Sequence, residues 1–100
     1  MAAYVIVDID VHDHENYPNY LAQITPTVKS CGGRYLVRGA DAHIISGTWQ
    51  PKRLVVMEFP NKETAHYWAT CAEYAPIHAL RNQYATANMI IVEGSVDFSG

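Results

Sequence analysis

The segment KRLVVMEFPNKETAHYWA (52–69) contains a β-strand followed at once by a helix. Residues 52–59 are mostly β-branched or apolar and lie between Pro51 and Pro60, as expected of a strand bounded by turns. Asn61 is of the type that caps helix N-termini. The apolar stripe of the predicted helix consists of Ala65, Trp68, Ala69 and Ala72.

The same pattern extends in both directions from this segment. Alternating apolar residues at 3–11 predict a first strand, and apolar residues at helical spacing over 17–28 predict a helix closed by the glycines at 32–33. Residues 34–38 predict a second strand, 43–45 a short extension, 76–84 a further helix and 88–93 a last strand. The order β-α-β-(β)-β-α-α-β is that of the ferredoxin-like split β-α-β fold, an α+β class with helices on one face of an antiparallel sheet.

Composition is that of one small globular domain. The 100 residues predict a single domain at 1–95 and a tail at 96–100. Hydrophobic residues make up 49% of the chain, which favours a homodimer that covers the bare sheet face. The formal net charge of −3 argues against a nucleic-acid partner.

Location and cofactors are predicted from what the sequence lacks. The N-terminal residues show neither a signal peptide nor a membrane-spanning run, so no membrane association is predicted. Cys31 and Cys71 form no CxxC motif, which favours reduced thiols and a cytoplasmic protein. Without a nucleotide-binding or metal motif, we predict no cofactor.

The stretch VHDHENY (11–17) offers two interpretations. His12 and His14 form an H-x-H pair that suits zinc or copper, but a site needs a third ligand and supporting groups. Asp13 is equally suited to accept backbone N–H groups ahead of a helix. Pro18 belongs in a first helical turn, so Asn16 is predicted to precede the helix proper. We favour the helix start and predict no metal site.

Charged residues on the predicted strands are the first candidates for function. Arg38 and Arg53 are predicted to bind an anion, because a guanidinium grips a carboxylate or phosphate with two parallel hydrogen bonds. Glu58 is predicted as a proton carrier if it is buried alone. The alternative for Glu58 is an Arg–Glu ion pair at the sheet edge or a dimer seam.

A second group of candidates lies on the predicted last helix. Tyr74, His78 and Arg81 share one helix face, with Tyr74 and Arg81 as ligand-binding residues and His78 as the general base. The alternative is an amphipathic rim that covers the core. An aromatic pocket is also considered, from Tyr17, Tyr20, Trp49, Tyr67 and Trp68, although Tyr20 and Trp68 fit core positions better.

The runs GGRYLVRG (32–39), GTWQPKRLVVMEFPNKETA (47–65), EYAPIHALR (73–81) and VEG (92–94) resemble the bacterial family of unknown function numbered 1330. The resemblance implies a dimeric α+β barrel, in which two ferredoxin-like sheets pack together, and it implies no activity. Relatives at superfamily level include cofactor-free monooxygenases, lactone isomerases and haem-degrading enzymes, whose chemistry does not transfer by fold alone.

Two functions remain open at this point. One is a small dimeric enzyme or binding protein for a small anionic organic metabolite, held between sheet and helices. The other is a non-catalytic dimeric interaction module. Converging Arg, His and Tyr side chains around an open pocket of roughly 300 Å³ or more favour the first. A sheet–helix space filled by Trp68, Leu21 and Ile24 favours the second.

Overall fold

The computed structural model describes residues 1–95, so the predicted tail at 96–100 lies outside the described residues. The elements are β1 (Ala3–Val11), α1 (Tyr17–Ser30), β2 (Arg34–Ala40), β3 (Leu54–Phe59), α2 (Lys62–Thr70), α3 (Ala75–Tyr84) and β4 (Ala85–Glu93). They form one antiparallel sheet in the order β2-β3-β1-β4, with β1 paired to both β3 and β4. The predicted α+β, ferredoxin-like class is confirmed.

The core lies between the helices and one face of the sheet. Alternate residues of β1, from Ala3 to Ile9, are buried on this face, as the period-two pattern predicts. Trp68 of α2 is fully buried and packs against Phe59 of β3, with ring centroids 5.3 Å apart. Its indole Nε1 donates a hydrogen bond to Thr27 Oγ1 of α1 at 2.9 Å, so Trp68 joins two helices to the sheet.

The helix boundaries follow from local chemistry. Asp13 Oδ1 accepts the Asn16 N–H at 3.1 Å, which forms the turn before α1, and Pro18 lies in the first turn as predicted. Asn61 Oδ1 accepts the Thr64 N–H at 2.7 Å and caps α2. Among residues 1–95, no helix is both long and apolar enough to cross a bilayer.

Two predicted strands differ from the structure. Residues 43–45 form no strand; the surrounding loop is exposed and is held by Asp8, which accepts hydrogen bonds from Trp49 Nε1 and the Lys52 N–H, each at 3.1 Å. The last strand begins at Ala85 rather than residue 88, because β1 is long enough to pair Val11 with Ala85.

The other face of the sheet carries no helix among the described elements. Leu36, Ile90 and Val92 lie on this face and are 46%, 56% and 43% exposed. Trp49 covers part of it beside Ile6 and Ile90. We refer to this surface as the bare sheet face.

Candidate functional site

A cleft opens between α1 and the helix-covered face of the sheet. Its inner part has a free volume of about 20 Å³, which is room for about one water molecule. Its mouth has a volume of about 350 Å³ and shares Ile9, Tyr17, Leu21 and Arg53 with the inner part. The inner walls are mostly apolar or aromatic and consist of Val7, Ile9, Tyr17, Tyr20, Leu21, Ile24, Tyr35, Arg38, Arg53, Val55, Met57, Trp68 and Met89.

A β-bulge places Arg38 on this cleft. Tyr35 pairs with Met57, but Val37 pairs with Val56, so Leu36 is an extra residue in β2. The extra residue shifts the alternation, and Tyr35 and Arg38 both come to lie on the helix side. The guanidinium of Arg38 stacks 4.3 Å from the centroid of the Tyr35 ring and donates to Thr25 Oγ1. Arg38 is therefore held in place at the cleft wall.

Arg53 immediately precedes β3, and its side chain lines the same cleft. The Ile9 N–H donates to the Arg53 carbonyl at 2.9 Å, which continues the β1–β3 pairing, and Arg53 faces the helices as Ile9 does. Its guanidinium lies against Gly39, where an added Cβ would be 2.5 Å from Arg53 Cζ. Gly39 has a φ of 81°, a conformation that favours glycine. Glycine at position 39 thus leaves the space that the guanidinium occupies.

Tyr17 forms the wall opposite the sheet, in the first turn of α1. Its side chain is 5% exposed, and its ring centroid lies 5.5 Å from that of Tyr20. Burial raises the pKa of Tyr17, while the charge of Arg53 acts in the opposite direction. Burial also raises the pKa of Tyr20 to about 12. Both phenols are therefore neutral at physiological pH and act as hydrogen-bond donors or acceptors, not as phenolates.

His78 and Arg81 lie together and do not line the cleft, although His78 contacts Trp68, one of its wall residues. His78 Nε2 lies 3.0 Å from the Trp68 carbonyl, and because a carbonyl oxygen only accepts, this nitrogen carries the proton. The other nitrogen, Nδ1, accepts from Arg81 Nη1 at 3.1 Å. Burial lowers the pKa of His78. The hydrogen bond to the Trp68 carbonyl raises this pKa, and the charge of Arg81 lowers it. With both nitrogens engaged, the geometry does not support the predicted general base.

Glu58 and Tyr74 also lie outside the cleft. Glu58 projects from the bare sheet face, where Arg34 Nε donates to its Oε1 at 2.8 Å. The structure therefore has the Arg–Glu pair at the sheet, the alternative to a proton carrier, and solvent exposure makes such a pair worth little stability. Tyr74 precedes α3 beside Cys31 and does not line the inner cleft or its mouth.

The histidines of VHDHENY have separate surroundings. His12 Nε2 lies 2.7 Å from Thr86 Oγ1, whereas His14 lines the mouth of the cleft. Within residues 1–95, no group of three His, Cys, Asp or Glu side chains is placed to hold a metal ion. Asp13 accepts both the backbone N–H and the side-chain amide of Asn16, which lowers its pKa.

The cleft thus combines two of the predicted arginines with aromatic residues. Tyr17, Tyr20 and Trp68 line it, whereas Trp49 lies on the bare sheet face and Tyr67 is 54% exposed on α2. Sequence reasoning missed the pairing of Tyr17 with Arg53. The signal was present in part, because Arg53 is in phase with the buried Val55 and Met57 of β3.

Known proteins resemble this chain in fold. Residues 2–95 match the family model described as domain of unknown function DUF1330. A crystal structure of RPA0582, a protein of unknown function from Rhodopseudomonas palustris, has a TM-score of 0.73 and 14% identity, covering 96% of this chain and 84% of that chain. Comparison with curated protein sequences gives no significant match.

Two further similar structures carry oxygenase names. SnoaB, a cofactor-independent oxygenase from Streptomyces nogalater, has a TM-score of 0.58 and 9% identity, covering 99% of this chain and 97% of its own. A putative antibiotic biosynthesis monooxygenase from Nitrosomonas europaea has a TM-score of 0.55 and 11% identity, covering 95% of this chain and 91% of that chain. At these identities the likeness is one of fold alone.

Proposed function

The chain belongs to the DUF1330 family, and we propose that its cleft binds or transforms a small anionic organic metabolite. The observation that carries this proposal is the convergence of Arg38 and Arg53 on one partly enclosed apolar cleft. Neither arginine has a carboxylate partner among residues 1–95, where Arg34 and Glu58 form the recorded ion pair. A guanidinium beside apolar walls suits the carboxylate of an organic acid.

The size of the cleft bears on both functions left open by the sequence. The mouth of about 350 Å³ is in the range of small-molecule sites and carries Arg53, Tyr17 and His14. The inner part is nearly filled, with Leu21, Ile24 and Trp68 among its walls, as the non-catalytic module requires. The mouth and the converging arginines favour the ligand-binding protein.

A thermal-shift screen against organic acids, quinones and lactones tests the proposal. A ligand at a hundred times its Kd stabilises the fold by about 2.7 kcal/mol, which is a rise in melting temperature of roughly 11–22 °C for a domain of this size. We expect hits among the acids, lost in Arg38→Ala and Arg53→Ala. Arg34→Ala, which removes a guanidinium from the bare sheet face, is the matched control and should keep them. Hits that survive both cleft substitutions would contradict the proposal.

We also propose a homodimer formed through the bare sheet face, in the cytoplasm with Cys31 and Cys71 reduced. Exposed Leu36, Ile90 and Val92 support the dimer, because apolar side chains clustered on one surface commonly mark an interface. The cysteines are both unpaired, which supports a reducing location.

Sedimentation measurements test the dimer. The wild-type chain is expected to sediment as a dimer, and Ile90→Lys as a monomer, because a lysine charge cannot be buried there without a partner. Tyr67→Lys introduces the same charge at a site of similar exposure on α2 and should leave the dimer intact. A monomeric wild-type protein at micromolar concentration would refute this assembly.

A further inference from the structure

Two buried polar atoms on the cleft wall are unpaired. The hydroxyl of Tyr17 and Nε of Arg53 have no hydrogen-bond partner within the described chain, and neither atom is open to solvent. Buried polar groups in folded proteins are almost always hydrogen-bonded, so an unpaired one calls for an explanation. Here there are two such atoms, and they belong to residues that share one cleft.

The two residues are neighbours. Arg53 Cζ lies 5.8 Å from the centroid of the Tyr17 ring, and both side chains line the inner cleft and its mouth. Nε of arginine can only donate a hydrogen bond. The Tyr17 phenol keeps its proton at neutral pH, because burial raises its pKa. The Arg53 side chain also lowers the pKa of Tyr17 through its charge and its closeness to the hydroxyl, but the Tyr17 hydroxyl and Arg53 Nε lack a hydrogen bond of good geometry among residues 1–95. Two adjacent groups that can donate a hydrogen bond are therefore unused.

The remaining nitrogens of Arg53 are placed differently. Nη1 and Nη2 lie against Gly39, within 2.6 and 2.8 Å of where a Cβ would be, so this end of the guanidinium packs on the C-terminal end of β2. By contrast, Arg38 is already engaged by Thr25 and the Tyr35 ring. Of the two cleft arginines, Arg53 is thus the one with a buried donor to offer.

We propose that the Tyr17 hydroxyl and Arg53 Nε form a binding pair for a planar oxyanion, the carboxylate or enolate of a ligand whose body occupies the mouth of the cleft. This inference rests on the proposed function of the cleft and names its ligand class. An oxyanion accepts hydrogen bonds from both donors and balances the arginine charge. The inner space has room for about one water-sized atom, which suits an oxyanion oxygen, and the body of the ligand occupies the mouth.

The charges at the mouth indicate that the ligand carries one negative group. Asp10 and Asp41 line the mouth together with Lys52 and His14. If Arg53 binds the oxyanion, the two carboxylates of Asp10 and Asp41 outnumber the single lysine, Lys52, at the mouth. A second anionic group at the outer end of the ligand would therefore meet net negative charge. A monoanion whose far end is neutral or hydrogen-bonding fits this arrangement.

Titration calorimetry with simple probes tests the inference. The probes are benzoate for a carboxylate, cyclohexane-1,3-dione for an enolate, terephthalate for a second charge and benzamide as the neutral analogue. We expect benzoate or the dione to bind, benzamide to bind more weakly, and terephthalate to bind no tighter than benzoate. Which of benzoate and the dione binds better identifies the oxyanion type.

The decisive variant is Tyr17→Phe, with Tyr67→Phe as its control outside the cleft. Tyr17→Phe should weaken oxyanion binding by about tenfold or more, since a hydrogen bond to a charged group is lost. Its melting temperature without ligand should not fall, because the hydroxyl has no partner in the free protein. Tyr67→Phe removes a phenol hydroxyl from the exposed surface of α2, outside the cleft, and should leave affinity within about threefold of the wild type.

The outcomes separate this inference from the proposed function. Equal binding by the wild type and Tyr17→Phe, with loss in Arg38→Ala, would leave the anion site standing and overturn the oxyanion pair. A clear fall in the melting temperature of free Tyr17→Phe would likewise overturn it, because the hydroxyl would then be a structural group. If no oxyanion probe or screened acid binds the wild type, both proposals fail.

Discussion

Replacing Trp68 by alanine is expected to destabilise the fold by about 3–5 kcal/mol, the range for removing a large buried aromatic side chain. Trp68 of α2 has no exposed surface and contacts Phe59. Its indole N–H donates a hydrogen bond to Thr27 Oγ1 of α1. Its carbonyl and ring also hold His78. The change leaves a cavity at the floor of the cleft that α1 and α3 must close. Urea unfolding, monitored by circular dichroism, measures the loss in the free energy of unfolding. The melting temperature is expected to fall by roughly 15 °C or more.

Two companion variants make the Trp68 result interpretable. Trp68→Phe keeps an aromatic ring but loses the indole N–H, so an intermediate loss of about 1–2 kcal/mol is expected, and the protein should remain folded. Tyr67→Ala changes the neighbouring exposed residue and should stay within about 0.5 kcal/mol of the wild type. Comparable losses for Tyr67→Ala and Trp68→Ala would contradict the packing of α2 described here.

Replacing Gly39 by alanine is expected to weaken acid binding as well as to lower stability. The φ of 81° costs an alanine about 1–2 kcal/mol. The new Cβ also overlaps the Arg53 guanidinium, with 2.5 Å to Cζ. Because the guanidinium is the end of a flexible side chain, it moves aside at little cost in stability but leaves its position at the cleft. Affinity for the screened acids should fall by about tenfold or more, as measured by calorimetry.

Gly47→Ala is a close control for this prediction. Gly47 has a φ of 88°, so the backbone strain is the same, but an added Cβ meets no atom within 4 Å. The two variants should lose similar stability, and only Gly39→Ala should lose affinity. Equal affinity in both would mean that the position of Arg53 is irrelevant to binding.

Much of the fold was predictable from local pattern. The alternation of β1, the apolar stripe of α2 and the cap at Asn61 each depend on residues close in sequence, so their signals are explicit. The loop at 41–50 was not predictable, because its course depends on Asp8, far away in the chain, which accepts hydrogen bonds from Trp49 and Lys52. The apolar residues at 44–45 have the sequence pattern of a strand but pair with no strand among residues 1–95.

The site was predictable to a smaller degree. Residue type alone identified Arg38 and Arg53 as anion ligands, but the same reasoning selected Arg81 and His78, which bind each other instead. Glu58 in an apolar strand suggested a buried acid, whereas the alternation of β3 turns it away from the helices toward Arg34. Tyr17 lies at the start of α1, and Arg53 lies immediately before β3. Only the three-dimensional fold brings these two residues together.

The extra residue at Leu36 affects how positions of this chain can be compared with those of its relatives. A related sequence without the insertion would keep an arginine in the aligned column, yet direct that side chain to the opposite face of the sheet. An arginine aligned with Arg38 is therefore not enough to assign it the same role in a relative. Its spacing to the aromatic residue equivalent to Tyr35 must match as well. At the 14% identity shared with RPA0582, structurally equivalent positions are better identified by the path of the backbone than by aligned letters.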